Sequence, residues 1–461
     1  MGSSVKIVVL LYITSSVLCT PFINKLPPGQ EWPKRGSIKQ NGTVAKDDGI
    51  QADELPDKEP AVLEDAQETG KVDYTGCQLL KVSTENAEAK RVIAKLHSEK
   101  IIASWGGSRT YVDVLVKPKL IENVTSLFKS NQMTYDVIIE DLQQRINEEN
   151  PPLDENETDL QDRRGHRMTW KQYHRVADIH GFLDYLAKTY PSIASVKTIG
   201  KSYEGRELKV LRISDGKPTN KAVFIDGGIH AREWISPAVV TYFINQFVEN
   251  YDIDYFNVVW YFLPVVNPDG YEYTHQNDRL WRKNRKGDLF SCKGTDLNRN
   301  FGYKWGGKGS SVYPCSEIYR GNSAFSEPES DAISKFFSST NTKFSAYLTY
   351  HSYGQYILYP WGYDNELPSD YRDLQSVGEK IAEAIQKTGG SKYSVGSSSG
   401  LLYPASGGSD DWAKSTGIKY TYTIELSDTG RYGFVLPASF IEPVARENLA
   451  GLRVLAAILN N

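Results

Sequence analysis

The stretch Ala222-Val-Phe-Ile-Asp-Gly-Gly-Ile-His-Ala-Arg-Glu-Trp234 decides how this chain is interpreted. Its apolar run predicts a buried strand, which the two glycines end. His230 and Glu233 then follow three positions apart, at the strand end where open α/β sheets bind ligands. A later apolar run, Phe344–Tyr350, is followed directly by His351. Two close ligands and one distant ligand, with the fourth position open, are typical of a catalytic zinc site.

Length and composition favour a packed globular protein of two or more domains. The chain has 461 residues, of which 40% are hydrophobic and 12% aromatic. A net charge of -4 argues against nucleic-acid binding, which needs a basic surface. No apolar stretch beyond the N-terminus is long enough for a membrane span.

The N-terminus has the pattern of a secretory signal over residues 1–19. Lys6 supplies the positive charge, Ile7–Leu18 is a short apolar core, and cleavage is expected near Cys19. A short buried helix is the alternative. Residues 20–70 are acidic and lack apolar periodicity, so we expect a disordered linker there. The signal predicts a secreted, extracellular protein.

A small domain is predicted over residues 71–148. Its elements follow the order β-α-β-β-α-β, which is the ferredoxin-like unit. The predicted elements are Gln78–Val82, Asn86–Lys100, Ile101–Trp105, Tyr111–Val116, Leu120–Phe128 and Tyr135–Ile139. Because it contains no metal-binding or nucleophile constellation, we expect a structural or inhibitory module.

Residues 149–168 are polar and carry exposed basic sites, where proteolytic nicking concentrates. The basic residues are Arg163, Arg164 and Arg167. An ordinary linker is one interpretation, and a zymogen activation site is the other. Three N-x-Ser/Thr sequons, Asn41, Asn123 and Asn156, all precede these basic sites, so glycans would sit on the part that is removed.

Residues 169–461 alternate strands and helices, which predicts an α/β domain with a mixed, largely buried sheet. The predicted strands are 195–199, 208–213, 222–226, 258–264, 344–350 and 420–426. The predicted helices are 176–189, 235–250, 327–337, 371–388 and 437–459.

Three further polar features of this domain suggest catalysis. Glu425 lies near the end of the apolar strand 420–426, where a carboxylate is costly unless it has a partner or a role. It is either a structural, salt-bridged acid or a general base that takes a proton from water at the metal. Arginines in 279–282 and 296–300 can bind carboxylates and polarise carbonyls. Taken singly, they are more simply solvated surface charges.

Several motifs together make 169–461 resemble the pancreatic-type zinc metallocarboxypeptidases, the A/B group. They are His-Ala-Arg-Glu-Trp, Val-Asn-Pro-Asp-Gly, Arg-Leu-Trp-Arg-Lys-Asn-Arg, Asp-Leu-Asn-Arg-Asn-Phe, Tyr-His-Ser-Tyr, Ala-Ser-Gly-Gly-Ser-Asp-Asp-Trp and Glu-Leu-Ser-Asp-Thr-Gly-Arg-Tyr-Gly-Phe. The small domain resembles the family's propeptide, which caps the active-site cleft until it is cleaved. The resemblance implies a zymogen with one Zn2+ per catalytic domain.

The resemblance also implies a role for each matching residue. Zinc would be held by His230, Glu233 and His351, with Asp296 orienting His230. Glu425 would be the general base, and Arg282 would stabilise the oxyanion. Asn298 and Arg299 would bind the substrate's terminal carboxylate, with Tyr403 closing over it. The remaining subsite residues would be Arg279, Ser352, Tyr353 and Phe434.

The resemblance also bears on partners and cysteines. Peptide or protein C-termini would be the substrate, a trypsin-like protease the activator, and protein inhibitors further partners. Export favours a disulfide between Cys292 and Cys315, which matches the family's disulfide. Two free thiols are the alternative. Cys77 is isolated in the sequence.

Substrate specificity depends mainly on Asp410. An acid at the matching position resembles the B type, which releases C-terminal Lys or Arg, whereas an apolar residue goes with the A type. Gly362 and Ser398 match other pocket positions and leave room for a long side chain. Asp410 could instead cap a short helix. A-type or broad specificity and a catalytically silent peptide-binding homologue stay open, and Ser427 departs from the family's usual arginine.

Overall fold

A computed structural model describes residues 70–154, 165–216, 221–249, 257–287 and 292–460. The predicted signal segment and nearly all of the predicted acidic linker lie outside the described residues, and so do Arg163 and Arg164. Two of the three sequons, Asn41 and Asn156, are outside them as well. Asn123 is described and is exposed on a helix.

The N-terminal unit is a four-stranded antiparallel sheet with the strand order β2-β3-β1-β4. The strands are β1 Gln78–Ser83, β2 Ile102–Gly107, β3 Tyr111–Val116 and β4 Tyr135–Ile139. The helices are α1 Ala87–Ser98, α2 Ile121–Ser130 and α3 Leu142–Glu149. This order and pairing confirm the ferredoxin-like prediction.

Helix α3 was not predicted, because its sequence is polar and only Leu142 and Glu149 are buried in it. Asp141 begins the helix, since its side chain accepts from the backbone N–H of Gln144 at 3.1 Å. The folded unit therefore extends through Glu149, one residue past the predicted boundary at 148, and brings a buried acid to its own C-terminal end.

The C-terminal unit contains an eight-stranded mixed sheet with the order β11-β10-β12-β9-β7-β8-β6-β5. Its strands are β5 Ala194–Lys201, β6 Glu207–Ile213, β7 Ala222–Gly227, β8 Val259–Leu263, β9 Phe344–Ser352, β10 Tyr356–Tyr359, β11 Ser394–Ser397 and β12 Tyr420–Leu426. The central neighbours β12, β9, β7 and β8 run parallel, whereas β10–β12, β6–β8 and β5–β6 are antiparallel. The predicted mixed-sheet α/β fold is confirmed.

Helices cover both faces of this sheet. They are α4 Val176–Thr189, α5 Ile235–Val248, α6 Pro268–Gln276, α7 Pro328–Ser339, α8 Tyr371–Gly389, α9 Ser398–Leu401, α10 Ser409–Ser415 and α11 Ile441–Asn460. Every predicted strand and helix of this unit is present, with ends shifted by a few residues. The short elements β10, β11, α6 and α9 were not predicted, because brief segments give no periodic signal.

Burial explains why the centre of the sheet is rigid. All six residues of β7 are buried, and so are eight of the nine residues of β9. Large apolar clusters lie on the two faces, one packed around Phe243 and Trp260 and the other around Phe224 and Tyr347. Within the described residues, no helix is long and apolar enough to cross a membrane.

Candidate active site

Two adjacent parallel strands bring the predicted metal ligands together. His230 follows the end of β7, and Glu233 lies in the turn that leads into α5. His351 lies within β9, the strand that pairs with β7 in parallel. The two strand ends therefore meet at one edge of the sheet, although the histidines are 121 positions apart in sequence.

The three side chains form one compact cluster and are almost fully buried. Nδ1 of His230 lies 2.8 Å from Oε1 of Glu233, and Nδ1 of His351 lies 3.0 Å from Oε2 of the same carboxylate. The two Nδ1 atoms are 3.1 Å apart. The backbone N–H of Ser352 donates to Oε2 of Glu233 at 3.2 Å, which holds the carboxylate in place.

These donors fit a divalent cation. With bonds of about 2.0–2.1 Å, neighbouring ligands of a tetrahedral zinc ion stand roughly 3.3 Å apart. Two imidazole nitrogens this close to a carboxylate need a proton or a cation between them. Burial opposes protonation of His351, but Glu233 more than offsets burial and raises the pKa of His351 to about 9. A metal ion displaces such a proton, because ligands bind it in their deprotonated form.

Asp296 connects the metal site to Arg282. Its Oδ1 lies 3.1 Å from Nε2 of His230, while its Oδ2 accepts from Nη2 of Arg282 at 2.9 Å. Burial alone would raise the pKa of Asp296, but Arg282, Arg299 and His230 hold it well below its usual range. Asp296 therefore stays ionised and keeps His230 oriented with Nδ1 towards the cluster.

Glu425 lies beside the cluster on β12. It is opposite His351 in the parallel pairing of β12 with β9. Its side chain is partly exposed, unlike those of the metal-site residues. Partial loss of hydration, reinforced by Glu233, raises the pKa of Glu425 to about 8, against the opposing effect of His351. A carboxyl with raised pKa next to a metal site has the properties of a general base.

A group of cationic and amide side chains surrounds the cleft next to this carboxylate. Arg299 is buried, and its Nε donates to the carbonyl of Gly309 at 2.7 Å. Oδ1 of Asn298 accepts from the N–H of Ser409 at 2.9 Å. The phenol of Tyr403 lies within the electrostatic influence of Arg299, Arg282 and Glu425. The residues predicted to bind a carboxylate thus lie near those predicted to be catalytic.

Asp410 is the second residue of helix α10 and is buried next to the cleft. Its carboxylate lies 3.5 Å from the hydroxyl of Ser398. In the described part of the chain, no cationic side chain forms an ion pair with it. Burial therefore raises its pKa. Asp411 differs, because it accepts from the N–H groups of Gly362 and Tyr363 and holds that loop.

The remaining predicted subsite residues are covered by the N-terminal unit. The Trp105 ring lies 5.4 Å from that of Phe434, and the Tyr353 hydroxyl donates to Asp113 at 2.7 Å. Arg279 pairs with Glu149, the last residue of α3. Ser352 keeps a buried hydroxyl that has no partner among the described residues.

The structure contains the predicted disulfide between Cys292 and Cys315. The two cysteines are 23 positions apart, so the disulfide closes a loop of that length. Glu317 follows this loop, and its carboxylate lies 4.0 Å from Nη1 of Arg232. Cys77 is a free, buried thiol among the described residues.

Sequence reasoning missed several residues of this region. Asp226 and Thr349 are fully buried polar residues within the central strands, and Glu149 and Asp113 bring acids from the N-terminal unit. The usable signal for Asp226 was an acid inside an apolar run. For Thr349, it was its position two residues before His351 on the same strand face. Glu149 and Asp113 gave no comparable signal.

Two family models match the chain in succession. One, described as zinc carboxypeptidase, matches residues 179–451, and the other, described as carboxypeptidase activation peptide, matches residues 80–149. The first match contains all three clustered ligands and Glu425, and the second covers most of the N-terminal unit.

Individual relatives agree with both matches. The chain is 47% identical over 295 residues to carboxypeptidase B of Astacus astacus, covering 63% of this chain and 97% of the relative. It is 37% identical to carboxypeptidase A1 of Bos taurus, covering 85% and 96%. The crystal structure of thrombin activatable fibrinolysis inhibitor aligns with a TM-score of 0.75 and 33% identity, covering 83% of this chain and 99% of that one.

Proposed function

This chain belongs to the zinc carboxypeptidase family and carries that family's activation peptide, and on this premise we propose that its catalytic domain releases C-terminal lysine or arginine from peptides. The observation that carries the basic specificity is Asp410. It is a buried acid without a cationic partner in the described chain, at a pocket position that Ser398 also lines.

The proposed metal ligands are His230, Glu233 and His351. When bound there, zinc supplies Lewis-acid polarisation of a carbonyl oxygen and makes water more acidic. Glu425 accepts a proton from the attacking water and delivers it to the departing amine. Arg282 donates hydrogen bonds to the oxygen that becomes negative, since Asp296 holds its guanidinium at 2.9 Å.

The proposed clamp for the substrate's terminal carboxylate is Asn298, Arg299 and Tyr403. A guanidinium binds a carboxylate bidentately, so an arginine fixed in a buried cleft selects chain ends over internal peptide bonds. Arg299 is fixed in this way by the carbonyls of Gly309 and Asn298, at 2.7 and 2.9 Å. This geometry supports cleavage of the last peptide bond only.

Basic specificity follows from the cost of burying a charge. An ionised carboxylate without a partner is expensive in a buried pocket, and a lysine or arginine side chain of the substrate relieves that cost. An apolar guest leaves the carboxylate uncompensated. Helix capping is the alternative role for Asp410, whose carboxylate lies within reach of the backbone N–H groups of Asp410 and Asp411 at the start of α10.

We further propose that the residues before the basic sites Arg163, Arg164 and Arg167 are the removable part of a secreted zymogen. The N-terminal unit covers Phe434, Tyr353 and Arg279, which line the proposed subsites. Cleavage by a trypsin-like protease in the basic segment 149–168 would release it. Secretion rests on the N-terminal signal pattern. Protein inhibitors that occupy the freed cleft are proposed partners.

One assay tests these proposals together. The purified zymogen is treated with trypsin and offered peptides that end in Lys, Arg, Phe or Leu, with and without a metal chelator. We expect Lys and Arg release that the chelator abolishes and that added zinc restores. Release of Phe or Leu without Lys or Arg would disprove the role of Asp410 and favour A-type specificity. No release from any peptide would support a silent, peptide-binding homologue.

A further inference from the structure

Each histidine of the proposed metal site has its Nδ1 in the cluster and its Nε2 in contact with a polar group outside it. His230 uses Nε2 to contact the carboxylate of Asp296 directly. For His351, Nε2 instead lies 3.2 Å from the hydroxyl oxygen of Thr349. That hydroxyl in turn donates to Oδ1 of Asp226 at 2.7 Å. The second histidine therefore also reaches a carboxylate, but through one intervening hydroxyl.

The strands make this chain of contacts rigid. Asp226 and Thr349 are directly paired in the parallel register of β7 with β9, at the centre of the sheet. Thr349 and His351 are two positions apart, so their side chains leave the same face of β9. Both Asp226 and Thr349 are fully buried, so water does not compete for these bonds.

Counting protons gives the direction of each bond. A threonine hydroxyl has one proton, and an ionised carboxylate only accepts. Thr349 donates that proton to Asp226, so its oxygen can only accept from an Nε2–H of His351. The imidazole then carries its proton on Nε2, and the lone pair of Nδ1 faces Glu233 and His230.

The second oxygen of Asp226 is also occupied. The hydroxyl of Tyr347 donates to Oδ2, and the Tyr347 ring stacks on Phe224 at 5.9 Å. Burial raises the pKa of Asp226 to about 6, although both hydroxyls oppose this rise, so the group is still a carboxylate at neutral pH. Tyr347 and Thr349 already satisfy both carboxylate oxygens of Asp226, which is also consistent with a purely structural role. The experiment must therefore separate such a role from an effect on the metal site.

We propose that Asp226 is a positioning residue for His351, acting through the Thr349 hydroxyl to fix the tautomer and ring orientation that present Nδ1 to zinc. The inference rests on the proposed ligand role of His351. It assigns the two histidines different supports: a direct carboxylate for His230 and a hydroxyl-relayed carboxylate for His351. Such supporting partners typically contribute a factor of about 10–100 in metal affinity.

The test measures the zinc dissociation constant of the full-length zymogen by competition with a chromophoric chelator. Thr349→Val removes the hydroxyl while keeping the shape, and Thr349→Ser restores it. Asp226→Asn lets an amide donate to the hydroxyl and so removes the constraint on its proton. Thr421→Val is the matched control, because Thr421 is buried on the neighbouring β12 and its hydroxyl has no partner in the described residues.

We expect Thr349→Val and Asp226→Asn to weaken zinc binding by about 10–100-fold, while Thr349→Ser and Thr421→Val stay within about threefold of the unaltered protein. The melting temperature of the metal-free protein reports packing alone. If Thr349→Val lowers that temperature but binds zinc as tightly as Thr421→Val, the residues are merely structural and the inference is wrong.

A separate variant, His351→Ala, distinguishes failure of this inference from failure of the proposed ligand set. It should lose zinc binding in the same assay. Zinc affinity unchanged in His351→Ala would refute the ligand role and, with it, the positioning role of Asp226. Zinc affinity lost in His351→Ala but unchanged in Thr349→Val would refute the positioning role only.

Discussion

Glu149 and Arg279 form a buried, two-point ion pair between the N-terminal unit and the catalytic domain. Nε and Nη2 of Arg279 lie 2.5 and 2.9 Å from the two oxygens of Glu149. Burial raises the pKa of Glu149, and Arg279 opposes this rise. The same arginine lies over the Trp234 ring, at 3.8 Å, so its position is fixed from two sides.

Glu149→Gln should weaken the attachment of the propeptide. The substitution leaves Arg279 buried without its counter-charge, and breaking one side of a buried pair costs about 3–5 kcal/mol. We expect a lower melting temperature of the zymogen and faster loss of the propeptide after a single tryptic nick, followed by size-exclusion chromatography. Glu148→Gln is the control, since Glu148 is half exposed in a surface pair with Arg145. Equal behaviour of the two variants would contradict the prediction.

Propeptide retention should depend on pH through Asp113. Burial raises the pKa of this acid to about 6, with Lys81 and Tyr353 opposing and Asp428 reinforcing the rise. If release restores the ordinary pKa of 3.8, the docked form holds more protons than the released form between pH 3.8 and 6. Docking then strengthens as pH falls from 7 towards 4 and loses this contribution as pH rises through 6. A difference of about two pKa units between the docked and released forms corresponds to at most about 3 kcal/mol of docking free energy.

The measurement is the dissociation of the propeptide from nicked zymogen across pH 4–8, compared with Asp113→Asn. The variant keeps the shape of the side chain but cannot titrate. Its pH dependence should be flatter than that of the unaltered protein in the range below 6. A profile identical in slope would assign the titration to other groups of the interface.

Glu425→Gln should abolish turnover without removing the metal. The amide cannot accept a proton, and loss of a positioned general base typically lowers kcat by about 10²–10⁴-fold. Zinc content should stay at one ion per chain, because Glu425 is not among the clustered ligands. The checks are peptide release from the trypsin-activated variant and elemental analysis of the same sample. Activity near that of the unaltered enzyme would exclude this role.

Asp410→Asn should remove the preference for basic C-terminal residues without lowering the stability of the enzyme. Removing a buried charge without a cationic partner should leave the unliganded enzyme as stable as before or about 1 kcal/mol more stable. The kcat/KM for peptides ending in Arg should fall by at least about 100-fold, since the substrate's cation then lacks its counter-charge. Peptides ending in Leu should be affected much less. An equal fall for Arg and Leu would point to a collapsed pocket instead.

The length and periodicity of an element decided whether the sequence predicted it. Long periodic segments such as α8 and the apolar runs of β7 and β9 were predicted with nearly their observed ends. The candidate metal ligands at the ends of those runs were predicted from the same segments. Strands β10 and β11, with four residues each, were missed, because so short a segment carries no period of its own. Their positions depend on the neighbouring strands they pair with.

The sequence by itself determined the residue types of the candidate site: the close pair His230 and Glu233, the distant His351, the acid on β12, and an N-terminal unit ahead of them. Only the tertiary structure decided which of these groups touch, and which unpredicted residues join them. Asp226 and Thr349 are 123 positions apart, and Glu149 and Arg279 are 130 apart. Such contacts follow from strand order and domain docking, which local hydrophobic periodicity does not encode.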